Sequence, residues 1–147
     1  MNLDNILSQS YRDVFNAIEV LALNRLTNSP DLAPGTDTKK FKVGAFSYML
    51  DGVVYNKASA DDIAAPGFST EAAEFRKVLL CIDSAGTITT VGGEIAASQA
   101  LAEAPEPTAD TLPIGILELP ASFTSGSTSI TSGMCKDITH SISVIEA

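Results

Sequence analysis

The stretch FKVGAFSYMLDGVVYNK, residues 41 to 57, constrains this chain more than any other. Apolar and aromatic side chains fill both flanks, and Asp51-Gly52 stands between them as a two-residue turn whose positions tolerate φ > 0. A β-hairpin is the expected outcome, and a sheet starts here. Residues 78 to 93, VLLCIDSAGTITTVGG, repeat the pattern with Asp83, Ser84, Ala85 and Gly86 as the connecting loop. Residues 114 to 130, IGILELPASFTSGSTSI, add further strand-like sequence.

Strands are expected over 41–50, 53–58, 75–82, 87–91 and 114–119, with weaker ones near 127–131 and 140–145. Short strands separated by turn signals point to a mainly β fold, a β-sandwich or a jelly-roll-like barrel. FSTEAAEFRK (68–77) reads as a helical turn that starts near Ser69 or Thr70. Residues 94 to 112 are rich in Ala and acidic residues and contain Pro105 and Pro107, so a long excursion from the sheet is expected, as a short helix with an extended arm or as a disordered loop. Residues 122 to 133 are Ser, Thr or Gly almost throughout and read as a flexible or edge-strand loop, or as a surface contact arm.

Ahead of the β region lies a different pattern. Leu3, Leu7, Tyr11, Val14, Phe15, Ile18, Leu21 and Ala22 recur at three- and four-residue spacing, which predicts one N-terminal amphipathic α-helix over residues 4–27. Asn5, Gln9, Arg12, Asn16 and Glu19 form its polar side, whereas Val20 and Leu23 make the last turns apolar almost all round. Burying the seven larger stripe residues is worth on the order of 10 to 20 kcal/mol gross, before ordering costs. Such a helix must be covered. Pro30, Pro34 and Gly35 then mark an irregular connection, so the chain divides into residues 1–40, helix and linker arm, and residues 41–147, a β-rich domain.

The chain has 147 residues, 45% of them hydrophobic, enough for one cored domain. Its net charge of −9 argues against sequence-independent nucleic-acid binding, which depends on Lys and Arg neutralising phosphates. Charged residues are 18%, below the usual quarter, and such a surface suits being covered by neighbours. MNLDNILSQS lacks a basic stretch followed by an apolar one, and no segment approaches the roughly 18 apolar residues of a membrane span. Cytosolic synthesis without a cleaved signal, and no membrane partner, are expected. Cys81 and Cys135 are too far apart in sequence for a CxxC unit, and Cys81 reads as a buried thiol in a reducing compartment.

Residues for chemistry are sparse. His140 is the sole histidine, which removes multi-histidine metal sites and makes any Ser-His-Asp triad depend on this one residue. Asp61-Asp62 and Glu71 with Glu74 have no calcium-loop spacing and read as solvated acids. Gly92-Gly93 lacks the glycine frames that cradle phosphate and reads as a bulge or turn. Catalytic, cofactor-binding and metal residues are therefore expected to be none.

The segments KVGAFSYMLDGVVYNKASADD, VLLCIDSAGTITTVGGEIAAS and LPIGILELPASFTSGSTSI, spanning about residues 41 to 131, resemble the small structural proteins of tailed bacteriophages, especially head decoration (cement) proteins. The resemblance rests on pattern and carries no catalytic signature. It implies a non-enzymatic protein on the capsid exterior that clamps major capsid protein subunits as a homo-oligomer, with a trimer favoured over a dimer. Leu7, Tyr11, Val14, Phe15 and Ile18 are the expected partner-binding residues, packing on the β domain or across a subunit interface. The alternative is a fibre, spike or baseplate component that contacts a host receptor through the tips at 59–70 and 122–133. A soluble enzyme or small-molecule-binding domain is a third reading, for which the residues nominate no pocket.

Overall fold

A computed structural model describes residues 23–64 and 67–138. Within them the chain is mainly β. In chain order the strands are β1 (Arg25–Leu26), β2 (Ala33–Pro34), β3 (Phe41–Val43), β4 (Phe46–Leu50), β5 (Val53–Lys57), β6 (Ala60–Ile63), β7 (Arg76–Ile82), β8 (Ile88–Gly92), β9 (Leu112–Leu119) and β10 (Cys135–Asp137). They form three antiparallel sheets, ordered β1-β4-β5, β2-β3-β6 and β10-β9-β7-β8.

The hairpin read from Asp51-Gly52 is present. Both residues take positive φ, 51° and 77°, the pair of left-handed conformations that a type I′ turn requires. Leu50 then pairs with Val53 and Tyr48 with Tyr55. The second hairpin joins β7 to β8 through Asp83–Thr87, where one Asp83 carboxylate oxygen accepts the N–H groups of Ala85 and Thr87, both at 2.9 Å.

Several expectations need correction. Residues 41–50 are two strands in two different sheets, because strand pairing breaks at Gly44-Ala45, where the Gly44 N–H donates to the Pro30 carbonyl at 2.7 Å. The expected helix over 4–27 lies outside the described residues through residue 22, and it does not reach 27, since Arg25 and Leu26 pair with Met49 and Tyr48. No strand forms at 127–131. There the Thr128 hydroxyl accepts the Thr124 N–H at 2.9 Å, a local bond that competes with a ladder. The strand expected at 140–145 lies outside the described residues.

The core gathers side chains from all three sheets. Phe46, Tyr48 and Leu50 alternate inward along β4, and Val78, Leu80 and Ile82 do so along β7. Phe41, Leu117, Leu119 and Phe123 complete a continuous cluster, each worth about 1.5 to 3 kcal/mol on burial. Leu79 and Cys81, on the opposite side of β7, are buried as well. The excursion between β8 and β9 helps to cover them. Phe75 bridges Ala96, Ala102 is buried, and Thr108 and Thr111 stand within hydrogen-bonding reach of the Cys81 thiol. Its one helical feature is the turn at 98–102, in which the Ala102 N–H reaches the Ser98 carbonyl at 3.2 Å.

Two tethers join the loops to this frame. Asp137 of β10 accepts the Leu32 N–H at 2.9 Å and the Ser29 hydroxyl at 3.1 Å. Thr70, a buried polar residue, donates its hydroxyl to the Pro120 carbonyl and accepts the Phe123 N–H at 3.0 Å. Residues 71–74 form a turn closed from Glu74 to Glu71, with Ala73 at φ 62°, in place of the expected helical turn.

Candidate functional site

The expected partner-binding residues Leu7, Tyr11, Val14, Phe15 and Ile18 lie outside the described residues. The structure does describe where their segment joins the body. The Gly52 N–H donates to the Leu23 carbonyl at 2.9 Å, and the Asp51 N–H donates to Asn24 Oδ1 at 3.0 Å. The I′ turn thus grips the chain as it enters. A Cβ on Gly52 would stand 3.0 Å from Leu23 Cδ2, so the Leu23 side chain lies against the turn.

Aliphatic side chains are left exposed around this turn. Leu23, Val53 and Val54 are 39%, 51% and 56% exposed, whereas most of the large aliphatic side chains in the strands are buried. Among the described residues β5 has one strand neighbour, β4, and its other edge is open. Open edges of this kind invite pairing or covering. Ile95 and Leu101 form separate exposed positions on the excursion.

The two loop tips considered for receptor contact are less free than the sequence suggests. Residues 59–70 include β6, and Thr70 is buried. Residues 122–133 are anchored at Phe123 and Ile130, both buried, and the Ile130 N–H donates to the Thr38 carbonyl at 2.7 Å. What projects is the turn from Thr124 to Ser129.

The acidic pairs act on the backbone. Asp61 accepts the hydroxyl and the N–H of Thr36, the latter at 3.0 Å, and Asp62 accepts the Asp37 N–H at 2.7 Å. The Thr36 hydroxyl, then the Thr36 and Asp62 N–H groups, hold the Asp61 carboxyl below its ordinary range. Glu74 accepts the Glu71 N–H at 2.8 Å. Asp61, Asp62 and Glu71 are exposed, as expected of solvated acids, whereas Glu74 is partly buried, and these carboxylates also fix turns.

An open groove of about 600 Å³ lies beside Asp61, lined also by Asp31, Lys42, Gly44 and Ser59. Its Asp61 carboxylate is already engaged with Thr36, which leaves little convergent chemistry. Among the described residues no three His, Cys, Asp or Glu side chains are grouped to hold a metal, and no helix is long and apolar enough to cross a membrane. Cys81 and Cys135 are free thiols. They sit on strands that flank β9, opposite Pro113 and Leu117, too far apart to bridge. Burial pushes both thiols up, and Cys135, with Asp137 adding to the effect, reaches about 11. His140 lies outside the described residues.

Gly92 closes β8 under the Phe68 ring, and a Cβ there would stand 2.6 Å from Phe68 Cε1. The sequence predicts a bulge or turn at this glycine and gives no sign of its packing role. No family model matches the chain, and no curated protein or solved structure matches it either.

Proposed function

We propose that this is a non-enzymatic virion structural protein, a head decoration (cement) protein that binds the outer surface of a tailed-phage capsid and stabilises contacts between major capsid protein subunits. The observation that carries the proposal is the exposure of Leu23, Val53 and Val54, at the point where an apolar-striped N-terminal segment enters the β body. Large aliphatic side chains left exposed at such a junction mark a place to be covered. The pattern likeness of residues 41–131 to phage head proteins supports the same reading.

In this reading the N-terminal segment is the amphipathic helix, and Leu7, Tyr11, Val14, Phe15 and Ile18 contribute to assembly. The three sheets belong to a β-sandwich or jelly-roll-like body. A homo-oligomer, a trimer before a dimer, engages several capsid subunits at once, so modest contacts add through avidity. Tyr11→Asp and Phe15→Asp should abolish assembly onto shells. Wild-type occupancy by those variants would end the helix proposal.

The alternative, a fibre, spike or baseplate component, draws its support from the exposed turn at 124–129, held by buried Phe123 and Ile130. Labelled protein located on virions by electron cryo-microscopy separates the two. Decoration gives many copies over the head; a fibre or baseplate gives few, at one vertex or on the tail.

A further inference from the structure

The excursion between β8 and β9 holds a leucine away from the protein. In its turn at 98–102 the N–H groups of Leu101 and Ala102 both donate to the Ser98 carbonyl at 3.2 Å. The small side chain goes in and the large one stays out: Ala102 is 3% exposed and Leu101 68%. A turn shaped only by burial of its own apolar area would carry the pair the other way round.

A lone exposed leucine on a loose loop would mean little. This one stands on a fixed support. Phe75 and Ala96 exchange N–H bonds at 2.9 and 2.8 Å, and the Gly93 N–H donates to the Lys77 carbonyl at 2.8 Å. The returning chain passes so close that a Cβ on Gly93 would stand 2.5 Å from the Glu103 carbonyl oxygen. Pro105 and Pro107 fix φ along the return, and the Thr111 hydroxyl closes it on the Thr108 carbonyl at 2.6 Å. A preorganised anchor gives up little freedom on binding.

The charge around it has one sign. Residues 94–111 contain Glu94, Glu103, Glu106 and Asp110 and no lysine or arginine. All of these acids are exposed, and among the described residues none is paired with a basic side chain. Their field repels nucleic acid and anionic membranes and is complementary to lysine and arginine.

We propose that this arm is a protein-docking element, in which Leu101 enters an apolar pocket of the partner and Glu103 and Glu106 meet basic residues at the rim of that pocket. A second copy of this chain fits less well, since at a net charge of −9 two copies repel each other. The proposal deepens the decoration reading and rests on it for the partner, which becomes a basic-rimmed pocket on the outer surface of the major capsid protein.

Co-sedimentation of the full-length protein with empty shells of the matching phage, titrated at low and high salt, tests it. Wild-type affinity should fall as salt rises. Leu101→Ser should weaken binding about tenfold at either salt, as loss of a central anchor does. Glu103→Gln/Glu106→Gln should weaken it at low salt and flatten the salt dependence. Glu71→Lys, an exposed change off the arm that alters net charge equally, should bind much as wild type does. Every variant should keep the wild-type urea midpoint, because each changed side chain is exposed. Wild-type binding by Leu101→Ser, or a loss in Glu103→Gln/Glu106→Gln no greater than in Glu71→Lys, overturns the inference and leaves decoration standing. No binding by the wild type overturns both. Wild-type self-association that Leu101→Ser abolishes in sedimentation velocity gives the leucine to a second copy and also overturns the inference.

Discussion

The Tyr48 hydroxyl donates a hydrogen bond to the Asp83 carbonyl at 2.6 Å, tying the centre of the β1-β4-β5 sheet to the end of β7 in the four-stranded sheet. The Tyr48 ring also stacks on Tyr55, with centroids 5.4 Å apart. Tyr48→Phe keeps the ring and removes the bond. Because the Asp83 carbonyl retains the Gly86 N–H at 3.1 Å, the cost should be modest, about 1 kcal/mol. Urea denaturation should show a lower midpoint with an unchanged slope. An unchanged midpoint would mean that this bond contributes nothing.

Thr70 should be more sensitive than its size suggests. Thr70→Val preserves shape but strands the Phe123 N–H and the Pro120 carbonyl, and leaving buried groups unsatisfied costs about 1 to 3 kcal/mol. Thr70→Ser, which keeps the hydroxyl, should recover most of that loss in the same measurement.

Gly92→Ala should displace the Phe68 ring, which lies under the Arg76 guanidinium at 5.4 Å from its centroid. Overpacking of this kind destabilises by about 1 to 3 kcal/mol. In a Phe68→Ala background the added methyl meets no ring, so the two changes should be strongly non-additive in a double-mutant cycle.

Stability should fall at alkaline pH. Burial raises the Cys135 thiol to about 11 and raises the Cys81 thiol and the Tyr48 phenol, the last aided by Asp83 and Tyr55. In the unfolded chain thiols titrate near 9 and tyrosine near 10, so there the unfolded state binds fewer protons than the native state. Stability is therefore full below pH 9 and declines as pH rises toward 11. Melting temperatures from about pH 7 to 11 should trace this decline, and Cys135→Ala should flatten it.

Much of the β architecture was legible because its signals are local. Asp51-Gly52 and the Asp83 loop carry their turn geometry in a few residues, and the apolar runs beside them supply β7, β8 and β9. What was missed depends on tertiary context. β6 contains Asp61 and Asp62, poor strand formers whose carboxylates hold the Thr36-Asp37 turn. β1, β2 and β10 are two- or three-residue pairings that a periodicity window cannot register. The break at Gly44-Ala45 falls inside a continuous apolar run, and its cause, the Pro30 carbonyl, lies far upstream in the connection before β2. Of the proposed site, the apolar stripe was readable and the grip of the I′ turn on Leu23 was not, since nothing in Asp51-Gly52 specifies which chain segment docks on it.

Co-sedimentation of the purified protein with empty shells of the matching tailed phage tests the decoration claim most directly, read as copies bound per capsid subunit. Saturation at a fixed ratio set by the lattice symmetry, lost in Tyr11→Asp and Phe15→Asp, is the predicted result. No binding at micromolar protein would contradict it and shift the assignment to the fibre or baseplate.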